Sequence, residues 1–135
     1  MKLSLKIRDA ENRHEVFDPA RKKWVALTPE EEVRQKFILY LVNVRGIPLS
    51  HISAEHGVEV GGMVKRYDIV VFGDDFKPWM VVECKAPSVL LTEEVLNQAL
   101  RYNMTLTAPF VCITNGAEVQ IFSVDAESGN VQKVE

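Results

Sequence analysis

Apolar residues along this chain fall into runs whose spacing assigns most of its elements. LSLKI, residues 3–7, alternates as a short strand does. In EVFDPARKKWVAL, residues 15–27, Asp18-Pro19 is a turn signal and Trp24-Val25 resumes extended structure. These pieces predict an N-terminal hairpin within residues 1–27. Val33, Phe37, Tyr40, Leu41 and Val44 then recur at helical spacing. Thr28 suits the N-cap of that helix, Pro29 its first position, and the acids that follow suit its first turn. Gly46 and Pro48 stop it, so the pattern predicts a helix over 29–44.

IPLSHISAEHGVEV, residues 47–60, fits neither period cleanly, but its end, VEV, runs into Gly61-Gly62, a two-residue hairpin turn. The strand RYDIVVF (66–72), the loop GDDFKP (73–78) and the strand WMVVECKA (79–86) follow, and Pro87 ends the last of these. Thr92 caps a second helix over 92–104. PFVCITNGAEVQIF (109–122) holds two alternating runs around Asn115-Gly116, a strong hairpin signal. The remainder, SVDAESGNVQKVE, is polar and is expected to fray. The order is hairpin, helix, three strands, helix, two strands. That is an α/β chain of the α+β kind, a mixed sheet flanked by helices. It reads as one domain over 1–135, with a hairpin in 1–27, a core in 28–124 and a polar tail in 125–135.

Composition narrows the setting. The 135 residues make one ordinary domain, and the 47% that are apolar suffice for a core. No apolar run approaches the ~20 residues that a bilayer span needs, so no membrane partner is expected. The start, MKLSLKIRDAENRH, turns charged too early for a signal peptide. A cytoplasmic location is the expectation. Cys84 and Cys112 lie in apolar runs and read as reduced core thiols, with no zinc or disulfide spacing. A net charge of −3 does not advertise nucleic-acid binding, although a local basic patch or a bound cation can supply the attraction.

Charge inside the two most hydrophobic strands needs a reason. Glu83 and Lys85 alternate onto one face of their strand, with Cys84 on the other. If Phe72 and Trp79 close the GDDFKP loop, Asp68 lies opposite Glu83, and opposed residues point to the same side. A one-residue slip would destroy the arrangement. Two carboxylates so placed repel, and a divalent cation removes the conflict. Mg²⁺ suits such a site, because it takes one or two carboxylates and keeps waters for a substrate phosphate. An adjoining ammonium can orient a water and steady phosphate charge. The chemistry implied is metal-assisted hydrolysis of a phosphodiester. An arbitrary E-x-K tripeptide is more often a surface feature or a structural ion pair; the apolar context and the cross-strand acid weigh against that here.

With RKKWVALTPEEEVRQ, KRYDIVVF, KPWMVVECKAP, NQALRY and ITNG in this order, the sequence resembles the PD-(D/E)XK nuclease superfamily. More narrowly, it is similar to the N-terminal nuclease domain of type I restriction enzyme R subunits. The resemblance implies a restriction-endonuclease-like core: helix, three antiparallel strands, helix, and a strand packed parallel alongside. It also implies Mg²⁺ as cofactor, with Mn²⁺ able to substitute, held by Asp68, Glu83 and the backbone carbonyl of Cys84, and a catalytic lysine at Lys85. Gln98 and Tyr102 match the family's Q-x-x-x-Y pair. They are four residues apart and so share a helix face, with Gln98 assisting catalysis and Tyr102 near DNA. Glu31, in the first helix, is a further candidate metal ligand. Tyr67 stands where the superfamily name has proline.

Lys65, Arg66 and Arg101 are candidate phosphate contacts, as is the basic run Arg21-Lys22-Lys23, which more often would be a solvated turn. Glu55 faces Asp68 if the Gly61-Gly62 hairpin is tight. His51 and His56, five apart, share no face cleanly, and His14 reads as a surface loop residue. The expected partners are DNA and the translocase or other subunits of a restriction system, with a homodimer as one way to nick both strands. No phosphate-binding G-x-x-x-x-G-K-[ST] loop is present. A Mg²⁺-dependent DNA nuclease without the translocase is the first reading. A non-catalytic nucleic-acid- or protein-binding module that keeps the fold is the second.

Overall fold

The computed structural model describes residues 2–134. Among the described residues there are two sheets and two main helices. A three-stranded antiparallel sheet comes first: β1 (Ile7–Ala10), β2 (Arg13–Asp18) and β3 (Lys23–Ala26). The predicted hairpin is its β2–β3 pair, with Val16 opposite Val25. LSLKI is displaced from its expected role, because pairing with β2 begins only at Ile7 and continues to Ala10.

Helix α1 (Pro29–Asn43) starts where the sequence puts it. The Thr28 hydroxyl accepts from the Glu31 N–H at 3.0 Å. Replacing Thr28 by alanine is expected to cost about 1 kcal/mol of stability, the usual loss for such a cap, measurable as a shift in denaturant midpoint at constant slope. Val33, Phe37, Ile38 and Leu41 enter the core. Tyr40 and Val44, expected on that face, are exposed, because α1 covers only part of the sheet. Beside it an apolar groove of about 910 Å³ stays open, lined among others by Tyr40, Trp79, Phe110, Val119 and Ile121.

A short 3-10 turn (Leu49–His51) leads into the second sheet. Its strands are β4 (Ile52–Val60), β5 (Met63–Phe72), β6 (Pro78–Cys84), β7 (Phe110–Thr114), β8 (Val119–Val124) and β9 (Val131–Val134), in that spatial order. The ambiguous segment 47–60 is therefore mostly strand, and Gly61-Gly62 turns it directly onto β5, with Val60 opposite Met63. Helix α2 (Glu93–Leu106) crosses between β6 and β7, which pair in parallel. Helix, three antiparallel strands, helix and a parallel strand thus follow in the order the resemblance implies.

The helices cover opposite faces. Ile69 and Val71 of β5, Met80, Val82 and Cys84 of β6 and Cys112 of β7 pack under α1. Val111, Ile113 and Phe122 pack against Ala99 and its apolar neighbours on α2. Both cysteines are free and buried, and burial pushes the Cys112 thiol up to about 12. They are inert core residues, as expected.

Of three local expectations, two hold with a refinement and one fails. Thr92 is the α2 N-cap, though without a side-chain hydrogen bond, and α2 runs on to Leu106. Asn115-Gly116 does turn β7 into an antiparallel β8: Thr114 pairs with Val119, so four residues make the turn, held by Asn115 Oδ1, which accepts from Ala117 and Glu118. The tail does not fray: Val131–Val134 forms β9 on the edge of the sheet. Its residues are exposed on both faces, so no apolar alternation announced it. Among the described residues, no helix is long and apolar enough to cross a membrane.

Candidate functional site

The ladder between β5 and β6 pairs Ile69 with Val82, Val70 with Val81 and Val71 with Met80. Continued outward, that register sets Asp68 against Glu83. The expected Phe72–Trp79 closure is replaced by Phe72–Pro78, with a shift between Val71 and Phe72. The irregularity lies at the loop end, so it leaves the far end of the ladder in the expected register.

Asp68 is fixed by an interaction the sequence does not announce: its Oδ2 accepts from the Cys84 backbone N–H at 2.8 Å. Lys85 Nζ lies 3.3 Å from Glu83 Oε1. The Lys85 backbone is held independently, its N–H donating to the Thr114 carbonyl at 2.8 Å. Asn115 donates to the Val89 carbonyl at 2.9 Å, so the I-T-N-G segment at the end of β7 braces the stretch that follows Lys85. Asp68, Glu83 and Lys85 therefore meet at one end of β5 and β6.

The electrostatics of this meeting are unfavourable for two bare charges. Burial, with the Glu83 carboxylate beside it, pushes the Asp68 carboxyl up to about 7, against the pull of the Cys84 N–H and Arg34. Burial also raises Glu83, with Lys85 opposing. Among the described residues, no three His, Cys, Asp or Glu side chains form a ready-made cage for a metal ion. Two carboxylates beside the main chain of Cys84 suit instead a hard cation that keeps part of its water shell.

Glu31 is placed differently from these two acids. It is buried in α1, where Arg21 Nη2 reaches Oε1 at 2.8 Å, and Gln35 donates to Oε2 at 3.0 Å. Arg21 also binds the fully buried Asp18. The first member of the basic run is thus committed to internal pairing, while Lys22 and Lys23 are exposed.

On α2, Gln98 is half-buried. The Tyr102 ring packs edge-on against Tyr67 at 5.8 Å, and Lys65 Nζ lies 5.4 Å from the centre of the Tyr102 ring. Tyr67, at the position of the superfamily's proline, is buried, and its hydroxyl donates to the Tyr102 carbonyl at 2.5 Å. It ties β5, next to Asp68, to the helix that carries Gln98 and Tyr102. Arg66 and Arg101 are exposed. His56 contacts Ser53 and Phe72, and His51 lies near Phe76. Neither reaches the carboxylates.

Sequence reasoning missed Arg34. Its side chain is 5% exposed and lies among Glu31, Glu55 and Asp68. The signal was there: Glu31, Arg34, Gln35 and Ile38 follow the core spacing of a helix, and Ile38 is fully buried. Polar residues on that stripe must be paired internally.

Compared with known proteins, residues 29–135 match the family described as type I restriction enzyme R protein N terminus (HSDR_N). The chain belongs to this family. The match takes in α1, the whole six-stranded sheet and α2, and leaves the β1–β3 sheet outside. Among solved structures, the chain is similar to a fragment of an HsdR subunit of a type I restriction enzyme from Vibrio vulnificus YJ016. Identity is 23% and the TM-score is 0.56, over 80% of this chain and 23% of that one. That likeness bears on the fold, and the chain spans under a quarter of the HsdR fragment's length. No curated protein matches.

Proposed function

We propose that this chain is a Mg²⁺-dependent nuclease that hydrolyses DNA phosphodiester bonds, with Mn²⁺ able to substitute. The observation that carries the reading is the convergence of Asp68 and Glu83 at the half-buried end of two strands, with Lys85 beside them. A carboxylate pair raised by burial, with the Glu83 charge adding to the rise at Asp68, is relieved by a divalent ion. Asp68, Glu83 and the Cys84 carbonyl would hold it. When bound, it supplies neutralisation of phosphate charge and a water of lowered pKa.

The protein's own groups do the rest. Lys85, held against Glu83 at 3.3 Å, orients the attacking water and steadies the charge that develops on the phosphate. Gln98 assists from α2. Lys65, Arg66, Arg101 and Tyr102 grip the DNA backbone, offsetting the chain's net charge of −3. Subunits of a restriction system, a translocase among them, are the partners this reading names, and a homodimer would let two sites nick both strands.

Incubating supercoiled plasmid with the chain in Mg²⁺ or in EDTA tests the reading. Nicking is expected only with Mg²⁺, and Glu83→Gln is expected to lower its rate by about 10²-fold or more. DNA retention without cleavage in either divalent cation would make the chain a non-catalytic module instead.

A further inference from the structure

Arg34 is a charged group at this site that the proposed reaction does not use. Its Nε lies 3.3 Å from Glu31 Oε2, its Nη1 3.0 Å from Glu55 Oε1, and its Nη2 3.6 Å from Asp68 Oδ1. A guanidinium usually matches a carboxylate with two parallel hydrogen bonds. Here Nε and Nη1 are buried and make no well-directed hydrogen bond at all. The guanidinium is thus held by charge, and buried donors left without partners are costly.

Two features keep it there. Glu31 is pinned from behind by Arg21 and Gln35. Glu55 adopts φ +54, a region that non-glycine residues rarely enter. It drops out of the β4–β5 ladder between Ala54–Ile69 and His56–Tyr67, at the position opposite Asp68. With a third of its side chain exposed, Glu55 could be satisfied by water, yet it is turned to Arg34. Asp68, in contrast, does not depend on Arg34 for its position, because the Cys84 N–H holds its other oxygen.

We propose that Arg34 is the resident cation of the site, a positioning residue whose charge competes with a divalent ion for Asp68 and keeps the affinity for that ion low. The inference rests on the function proposed above. A free chain then retains the ion weakly, and the phosphate of bound nucleic acid completes its retention. Cleavage is thereby coupled to occupancy of the site by DNA. An incoming ion meets a like charge already facing Asp68 Oδ1, and that repulsion is not screened as it would be at the surface. Removing the charge while leaving Asp68 and Glu83 in place tightens the site.

Titrating the 135-residue chain with Mn²⁺ and following free Mn²⁺ by electron paramagnetic resonance, at one pH and low salt, tests this. Thermal melts establish that each variant is folded. Arg34→Gln keeps amide donors and drops the charge; Arg34→Met is a second uncharged variant; Arg34→Lys keeps the charge. Both uncharged variants are expected to lower the Mn²⁺ Kd about tenfold or more, and the lysine variant to stay near the wild type. Folded uncharged variants with an unchanged or higher Kd would overturn the inference, while wild-type binding that is lost in Asp68→Asn would leave the proposed site standing. If no folded form, wild type included, binds Mn²⁺ at millimolar concentration, the metal-site reading falls together with the inference.

Discussion

Replacing Lys85 by alanine is expected to lower Mg²⁺-dependent nicking by about 10²–10⁴-fold, the range typical of a lost group that aids proton transfer, while changing the melting temperature by no more than a few degrees. The two halves of the expectation have separate physical sources. The Lys85 backbone is bonded to β7 through the Thr114 carbonyl, so truncating the side chain leaves the strand end in place. That side chain is 25% exposed and pairs with Glu83, and pairs that still meet solvent contribute about 0–1 kcal/mol to stability. Its ammonium lies beside the carboxylates, 3.3 Å from Glu83 Oε1. Rates from plasmid relaxation, with a melt of the same preparation, check both halves. Nicking that persists in Lys85→Ala would assign the activity to another site or to a contaminant.

Asp68→Asn should do something less usual, abolishing activity while making the protein more stable without metal. The folded-state pKa of Asp68 is raised from 3.8 to about 7. Between those values the folded chain binds the proton more tightly than the unfolded chain does, so wild-type stability falls as pH rises through this window and levels off above it. Asparagine never ionises, and its amide oxygen can still accept from the Cys84 N–H. The gain should therefore be near zero below pH 4 and largest above pH 7. Every tenfold difference in proton affinity between the folded and unfolded chains corresponds to ~1.4 kcal/mol, which gives a gain on the order of 2–4 kcal/mol. Melts in EDTA at pH 5 and pH 8 measure it. Adding Mg²⁺ should raise the wild-type melting temperature by mass action and leave the variant unmoved. A variant less stable than wild type at pH 8 would contradict the burial argument.

The carboxylate–lysine cluster was legible because period-two alternation fixes which side chains share a face, and a hairpin register needs only one good turn. The assumed Phe72–Trp79 closure was wrong in detail. It did no harm, because the shift occurs next to the loop and the ladder beyond Val71 keeps its register. Arg34 and Glu55 were harder. The positive φ of Glu55 is a tertiary outcome that no local propensity encodes, and a buried arginine reads as a solvated one until its neighbours are known. Strand β9 escaped notice for the opposite reason. Pairing on one edge with neither face buried, it carries no hydrophobic signature. The Asn115 turn was placed correctly, and what the sequence left open is how it is held: the Asn115 side chain accepts from Ala117 and Glu118.

Arg21 reaches from the turn between β2 and β3 to a helix acid that touches Arg34. The segment its relatives share begins at residue 29, so part of the counter-charge of Glu31 is contributed from outside it. Trimming the gene back to the shared boundary would leave Arg34 as the cation that faces that acid, beside the neutral Gln35 amide, and the Arg34 charge drawn away from Asp68. The smallest electrostatically whole unit of this chain is thus longer than the stretch by which its lineage is recognised.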